Sequence, residues 1–215
     1  MLDKIFVKNY DAPPIDRREI LRYAGCKDDA DERLNALIDE CLHESEPFLS
    51  YRVCYYMFDV KQILDGVTSQ TVQRGLVGCE RAVVFAATVG LGLDRLIARY
   101  GATNTAKALV LQAIGAERVE ALCDTFCQGL ERAYGETGLY ARRRFSPGYG
   151  DFALENQKQI FSALDCPKNI GLTLTESGLM SPTKSVTAIV GLQSGKRQEK
   201  TGCEACGKTD CFARK

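Results

Sequence analysis

A long uninterrupted helical pattern in the middle of the chain constrains the fold more than any other feature. Apolar residues recur at helical spacing from position 103 to position 134, and Gly135 follows, a residue favoured just past a helix end. Glu117, Arg118 and Glu120 interrupt this helix midway with charge. The predicted core-facing stripe consists of Leu109, Val110, Ala113, Val119, Leu122, Cys123, Phe126, Cys127 and Leu130. Any fold for this chain must therefore bury one face of a single long helix.

Strand and helix patterns are mixed irregularly along the rest of the chain. Strands are predicted at residues 5–10, 51–60, 82–88, 139–145, 170–174 and 185–191. Helices are predicted at residues 16–25, 31–45, 69–76 and 90–100, and from Asp151 to Pro167. Without strict alternation, this mixture predicts an α+β fold: a single domain with a twisted, mainly antiparallel sheet flanked by helices. The domain is expected to cover residues 1–192, with a cysteine-containing tail at 193–215.

The overall charge is balanced, which disfavours several classes of partner. The chain has 28 Lys plus Arg and 28 Asp plus Glu, so no global field attracts nucleic acid or anionic lipid. The longest apolar run, residues 82–93, is 12 residues and is too short to cross a bilayer. The N-terminus lacks the apolar core of a signal peptide. We therefore expect a cytoplasmic protein without a nucleic-acid or membrane partner.

Ten cysteines and one histidine narrow the chemistry. In a reducing compartment the cysteines should be core residues, metal ligands or redox thiols rather than disulfides. Cys123 and Cys127 are four residues apart and could face one metal, but their apolar neighbours favour buried core thiols. The single histidine, His43, lies off the apolar stripe of its helix and is predicted at the surface. A Ser-His-Asp triad and a multi-histidine metal site are nearly excluded.

The tail carries a second cysteine pattern. Cys203 and Cys206 are separated by two residues, and Cys211 follows five further on, which suits a zinc ion or an iron–sulfur cluster. A fourth ligand is missing from the tail, and Cys166, another cysteine or a partner could supply it. The alternative is a reduced tail that binds no metal.

Gly90 and Gly92 follow a predicted strand and open a predicted helix, as in a dinucleotide-binding loop. Arg95 stands where the third glycine of that motif belongs. The repeated strand–helix–strand alternation of a doubly wound sheet is also absent from the pattern. A nicotinamide enzyme is therefore the least favoured alternative.

Residues 142–150 combine three arginines with a turn. Pro147 presets φ near −65° and Gly148 supplies the positive φ that a type II turn needs at its third position. Pro-Gly turns close many loops without further function, and arginines often end strands. This window alone leaves binding and simple loop closure both open.

Three windows together resemble one protein family. Residues 144–149 read Arg-Phe-Ser-Pro-Gly-Tyr, residues 174–177 read Leu-Thr-Glu-Ser with Met180 and Pro182 following, and Ser185-Val186 opens a strand. In order and spacing these windows resemble the activation domain of cobalamin-dependent methionine synthase, which binds S-adenosylmethionine. The likeness covers about residues 105–192 and is weak before residue 80.

The resemblance implies a set of ligand-binding positions. In the family the Arg-x-x-Pro-Gly-Tyr segment contacts S-adenosylmethionine, so Arg144 would pair with the methionine carboxylate and Tyr149 would offer its face to the sulfonium. Gly148 would let the backbone approach the ligand closely. The family also brings in a carboxylate from the long helix, here Glu120 or Glu117. The complete set of implied positions is Arg144, Phe145, Pro147, Gly148, Tyr149, Glu120, Glu176 and Ser185.

The resemblance further implies one component of a methyltransferase that reactivates a corrinoid protein, above all methionine synthase. In that chemistry cob(II)alamin gains one electron, and cob(I)alamin takes a methyl group from S-adenosylmethionine; flavodoxin or ferredoxin is the candidate electron donor. No cobalamin-binding segment is visible, so the corrinoid would be carried by a partner. Residues 193–197 lack the aromatic residues that fused family members have there, and those members lack the cysteine tail. The alternative is a metal-binding scaffold that passes electrons to a corrinoid partner through the tail.

Overall fold

A computed structural model describes residues 4–26 and 31–195. Within these residues the strands are β1 (Phe6–Tyr10), β2 (Tyr51–Asp59), β3 (Cys79–Thr88), β4 (Leu139–Phe145), β5 (Thr173–Leu174), β6 (Met180–Ser181) and β7 (Ser185–Ser194). The helices are α1 (Arg17–Tyr23), α2 (Glu32–Ser45), α3 (Val60–Gly66), α4 (Gln70–Leu76), α5 (Leu91–Thr103), α6 (Thr105–Gly135), α7 (Gln157–Leu164) and α8 (Cys166–Ile170). Short 3₁₀ turns lie at Glu46–Phe48 and Leu154–Asn156.

Five strands form one sheet in the order β1-β2-β3-β7-β4, and every neighbouring pair is antiparallel. β5 and β6 form a separate two-stranded hairpin. This arrangement confirms the predicted α+β class with an antiparallel sheet. No helix in the part of the chain that the structure describes is long and apolar enough to cross a membrane.

Helices cover both faces of the sheet. We call α1, α2, α5 and α6 the front layer, and α3, α4, α7 and α8 the back layer. Alternate residues of β3 point to opposite layers, so Val83 and Phe85 join the front core while Val84 and Ala86 join the back core. Because both faces are covered, β3 is buried along nearly its whole length and reads as a continuous apolar run.

Helix α6 spans 31 residues, and the Asn104 side chain caps its start by accepting a hydrogen bond from the Lys107 N–H. The predicted stripe is largely confirmed, although the exposure of Leu109 is 56% and Cys127 is only partly buried. Leu111 and Ile114 are buried outside that stripe. These two side chains are buried because α6 packs against the sheet on one side and against α1, α2 and α5 on its other sides. A single-stripe prediction therefore understates the burial of this helix.

One helix was not predicted, and the start of another was predicted wrongly, since α7 begins at Gln157 rather than at Asp151. β2 ends at Asp59, whose side chain forms a capping box with Gln62 and starts α3, which the sequence did not predict. Pro167 was predicted to end a helix, but it lies in the first turn of α8. Proline is tolerated there because its missing N–H would have no partner within the helix. The predicted strand 170–174 consequently shrinks to β5.

A bulge in β4 decides which way its arginines point. Ala141 pairs with Leu192 and Arg144 pairs with Val190, so residues 142–143 oppose the single residue Gly191. A Cβ on Gly191 would lie 2.6 Å from the Cys79 Sγ, so the position suits only glycine. The extra residue turns Arg144 to the front layer, whereas strict alternation from Ala141 would have turned it to the back.

Candidate ligand-binding groove

The turn after β4 has the conformation that its sequence predicts. The Tyr149 N–H donates to the Ser146 carbonyl at 3.4 Å, and Gly148 has φ 92°. The Gly148 N–H in turn donates to the carbonyl of Phe152 at 2.7 Å. Phe152 is buried in the back core, so this hydrogen bond anchors the exposed turn to that core.

Asp151 fixes the same turn to the back layer. Its Oδ1 accepts from the Ser69 hydroxyl at 2.7 Å, and both carboxylate oxygens lie within 3.3 Å of the Thr71 N–H at the start of α4. The hydrogen bonds from Ser69 and then Thr71 lower the pKa of Asp151 to about 2. A negative charge at a helix N-terminus is also favourable.

Arg144 reaches across to α6 and meets two carboxylates. Its Nη2 lies 2.9 Å from the Glu120 Oε2 and 2.9 Å from the Asp124 Oδ1, which are one helical turn apart. Burial disfavours the charged guanidinium, but Cys123 and these carboxylates outweigh it and raise the pKa of Arg144. The Nη1 atom is buried without a hydrogen-bond partner, so Arg144 retains a donor for a further acceptor.

A groove of about 230 Å³ runs beside these carboxylates, between α6 and the start of the chain. The N-terminal wall consists of Pro13, Pro14, Asp16 and Glu19, and the α6 wall includes Glu117, Glu120 and Asp124. Five carboxylates thus line the groove, and none of its lining residues is Lys or Arg. Four of these carboxylates are paired with Arg22, Arg118 or Arg144, so five negative and three positive charges leave the site net acidic, which favours a ligand that carries positive charge.

A buried ion pair lies behind the groove. Arg118 Nε and Nη2 donate to both oxygens of Glu117, at 2.5 Å and 2.6 Å. Arg118 also donates to the carbonyls of Pro13 and Pro14, and the Glu117 Oε1 accepts from the Asp16 N–H at 2.9 Å. Burial disfavours the Arg118 cation, but Glu117 compensates and the pKa of Arg118 is raised.

The structure brings only some of the predicted ligand positions together. Arg144 and Glu120 are in direct contact, and Tyr149 is 64% exposed at the tip of the turn. Phe145 packs in the back core against Gly75, on the opposite face of the sheet from Arg144. Pro147 is buried under the turn, next to the exposed Gly148.

Glu176 and Ser185 lie apart from the Arg144 cluster. Glu176 is exposed in the turn that connects β5 to β6. Ser185 is buried, and its hydroxyl hydrogen-bonds with the Thr88 Oγ1 and the Pro182 carbonyl, each at 2.8 Å. Since β4 and β7 are antiparallel, Ser185 begins β7 at the end of the sheet where the Pro-Gly turn leaves β4.

The cysteines within the described ranges are free thiols, and all of them except Cys26 and Cys127 are buried. Cys123 is buried as predicted, and burial raises the pKa of the partly buried Cys127 to about 12. Cys166 lies in the back core together with Cys54. His43 is exposed, as predicted. No group of three metal-ligating side chains occurs between residues 4 and 195 where the structure describes them.

Cys203, Cys206 and Cys211 lie outside the described residues, so the tail metal site stays a prediction. Visible absorption of anaerobically purified protein distinguishes an iron–sulfur cluster from a zinc ion at this predicted site. Broad charge-transfer bands indicate iron–sulfur, whereas a colourless protein that contains zinc indicates a structural ion.

The two glycines at the start of α5, Gly90 before its first residue and Gly92 in its first turn, lie in close packing contacts. A Cβ on Gly92 would lie 2.5 Å from the Phe48 carbonyl oxygen, and one on Gly90 would lie 2.3 Å from the Ser50 Oγ. β3 also lies between antiparallel neighbours, whereas a dinucleotide fold requires parallel ones. The nucleotide-loop alternative therefore does not fit this structure.

Sequence reasoning missed Asp124 and the N-terminal wall of the groove. Asp124 could have been found, because it follows Glu120 by four residues and such pairs share one helix face. Asp16 was predicted only as the first residue of a helix, and it does cap α1, since its Oδ1 accepts from the Arg18 and Glu19 N–H groups. Its position opposite α6 depends on contacts 101 residues apart in sequence.

The fold is similar to that of a solved crystal structure. A crystal structure of the MetH reactivation domain bound to AdoHcy superposes with a TM-score of 0.64 at 16% sequence identity. The match covers 93% of this chain and 81% of that one. At this identity the likeness defines the class of fold, an activation-domain-like α+β architecture.

The sequence itself identifies the family. Residues 72–198, more than half of the chain, match the family described as vitamin B12 dependent methionine synthase, activation domain. The chain belongs to this family. No curated protein matches the sequence. Since the structural match covers 93% of the chain, it extends to N-terminal elements that precede the family match.

Proposed function

We propose that this chain binds S-adenosylmethionine beside Arg144 and supports the reductive methylation of a corrinoid carried on a separate protein, above all methionine synthase. The observation that carries the proposal is the Arg144 guanidinium, held at 2.9 Å by both Glu120 and Asp124. Membership of the activation-domain family and the AdoHcy-bound structure of a protein with this fold support it.

The charges around Arg144 suit a zwitterionic ligand that also carries a sulfonium. The Arg144 side chain is 22% exposed, so its guanidinium can bind the methionine carboxylate, and a charged hydrogen bond of this kind is stronger than a neutral one. The carboxylates that line the groove can bind the ammonium group and favour the sulfonium. Tyr149 is exposed beside the turn, and its face can contact a cation.

The protein's part in the chemistry is positioning. When reduced, the partner's corrinoid supplies the nucleophile that accepts the methyl group of S-adenosylmethionine. This chain would hold the methionine end at Arg144, orient the sulfonium toward the partner and exclude water from the methyl group. General acid–base catalysis is not required, which agrees with the single exposed histidine.

Calorimetric titration with S-adenosylmethionine tests the proposal. We expect Arg144→Ala to bind roughly 30- to 150-fold more weakly, since loss of a charged hydrogen bond costs about 2–3 kcal/mol. Arg143→Ala is the matched control, because Arg143 is exposed on the same strand and packs over the Phe145 ring. Wild-type protein that fails to bind S-adenosylmethionine would overturn the proposal.

The corrinoid partner requires a separate measurement. Reduced corrinoid protein mixed with this chain and methyl-labelled S-adenosylmethionine should acquire the label, and Arg144→Ala should slow the transfer at subsaturating S-adenosylmethionine. Equal labelling of the corrinoid protein with and without this chain would contradict the proposed role in reactivation.

A further inference from the structure

We infer that the buried Glu117–Arg118 pair is the positioning element of the groove. It holds the proline segment, defined here as residues 11–16, against α6 and so forms the N-terminal wall. The inference rests on the proposed binding of S-adenosylmethionine in this groove. It assigns to Glu117 and Arg118 a role in ligand affinity that acts through the position of the proline segment, without ligand contact by Arg118.

The contacts between the pair and the proline segment are all to backbone atoms. Arg118 Nη1 donates to the Pro13 carbonyl at 2.5 Å and Nη2 donates to the Pro14 carbonyl at 2.7 Å. The Asp16 N–H donates to Glu117 Oε1 at 2.9 Å. Three backbone groups within four residues are therefore held by two adjacent side chains of α6.

The composition of the proline segment explains why side chains must hold it. Pro13 and Pro14 have no N–H, so the segment cannot be fixed by donating a regular set of backbone hydrogen bonds. Their carbonyls still need donors where they meet the helix. The planar guanidinium of Arg118 presents several donors in fixed directions, and it serves both carbonyls and Glu117 at once.

Stability alone does not account for an ion pair at this depth. Glu117 and Arg118 are each only 2% exposed, and an apolar pair of similar volume is often as stable as a buried ion pair. An apolar pair cannot direct carbonyl and amide groups. What the ion pair supplies is a defined position for Asp16 opposite Glu120 and Asp124, which line the same groove.

The first test compares ligand affinity in variants of one helix. We expect Arg118→Met to weaken S-adenosylmethionine binding by about tenfold or more, with affinity measured at a temperature below the unfolding transition of the variant. The reason is that an N-terminal wall no longer held by Arg118 must become ordered when the ligand binds. Arg118→Lys should restore part of the affinity, since it keeps the charge but offers a single donor centre.

Lys107→Met is the matched control. Lys107 also lies on α6, but its ion pairs with Glu40 and Glu44 tether α2 rather than the proline segment. We expect this variant to lose stability and to keep an affinity within about twofold of wild type, as for independent sites.

Hydrogen exchange at the Asp16 amide tests the mechanism independently of the ligand. Exchange should accelerate in Arg118→Met and in Glu117→Gln, and should be unchanged in Lys107→Met. A folded Arg118→Met that binds as tightly as wild type, or Asp16 exchange that is unchanged, would overturn the inference.

Two further outcomes are distinguishable. If Arg118→Met does not fold, the ligand affinity and the Asp16 amide exchange of Glu117→Gln test the inference instead. This substitution keeps the shape of Glu117 and removes its charge. Wild-type protein that does not bind S-adenosylmethionine overturns the proposed function and this inference together, whereas unaffected variants of a binding wild type overturn the inference alone.

Discussion

The two helical layers differ in where they place charge. Among the residues that the structure describes, the charged side chains with buried surfaces are Glu117 and Arg118, and both belong to the front layer. The buried polar side chains contributed by the back layer include Ser69 and Gln157, which are uncharged. Burial of charge is costly unless it is paired and hydrogen-bonded. The difference agrees with the proposed placement of the ligand site in the front layer, with the back layer in a supporting role.

The back layer nevertheless fixes the turn that follows Arg144. Phe145 packs against Gly75 of α4, and Asp151 binds the start of the same helix. Front-layer substitutions at the groove, such as those at Arg118, should therefore change ligand binding, whereas back-layer substitutions should chiefly change stability.

The largest expected effect concerns the buried ion pair. Arg118→Ala leaves the Glu117 carboxylate buried without its partner, so we expect the free energy of unfolding to fall by about 3–5 kcal/mol in urea denaturation. The double substitution Glu117→Leu, Arg118→Met should recover most of this stability while binding of S-adenosylmethionine stays weak. Recovery of both stability and S-adenosylmethionine affinity in the double variant would contradict the functional distinction between the front and back layers.

A smaller loss is expected in the back layer from Gly75→Ala. The added Cβ would lie 2.0 Å from the Phe145 Cζ, so we expect a destabilisation of about 1–3 kcal/mol by overpacking. Gly66→Ala is the control, because nothing lies within 4 Å of its added Cβ. S-adenosylmethionine affinity should change by less than about threefold in both variants. A loss of affinity equal to that of Arg144→Ala would show that the back layer also controls the ligand site.

The smallest effect is expected at the exposed carboxylate of Asp151. Its pKa is lowered in the folded protein from 3.8 to about 2, so its contribution to stability is fully present above pH 3.8 and is lost as the pH falls through 2. The difference in unfolding free energy between wild type and Asp151→Asn should be constant near neutral pH and should narrow between pH 4 and pH 2. An identical difference at pH 6 and pH 2 would contradict this assignment.

Local patterns predicted much of the fold. The period of α6, its end near Gly135 and the positive φ of Gly148 depend on residues within a few positions, so they can be inferred from sequence. α3 was missed because its first residue, Val60, continues the apolar pattern of β2. α8 was missed because a proline after a helical pattern predicts a helix end, although proline also suits a helix start.

The candidate site was predicted only in part. The motif marked Arg144, and the resemblance pointed to Glu120 or Glu117, but the bulge opposite Gly191 was not visible in the alternation of residues 139–145. That bulge directs Arg144 toward Glu120 and Asp124, because one extra residue reverses the faces of a strand.

The sequence by itself determined the α+β class, the long helix and the conformation of the Pro-Gly turn, since these follow from short-range sterics and periodicity. The tertiary structure alone decided that Pro13, Pro14 and Asp16 would face α6, through hydrogen bonds to Glu117 and Arg118 that span more than 100 residues. Such contacts depend on packing of the whole front layer. The groove is therefore a property of the folded chain rather than of any single motif.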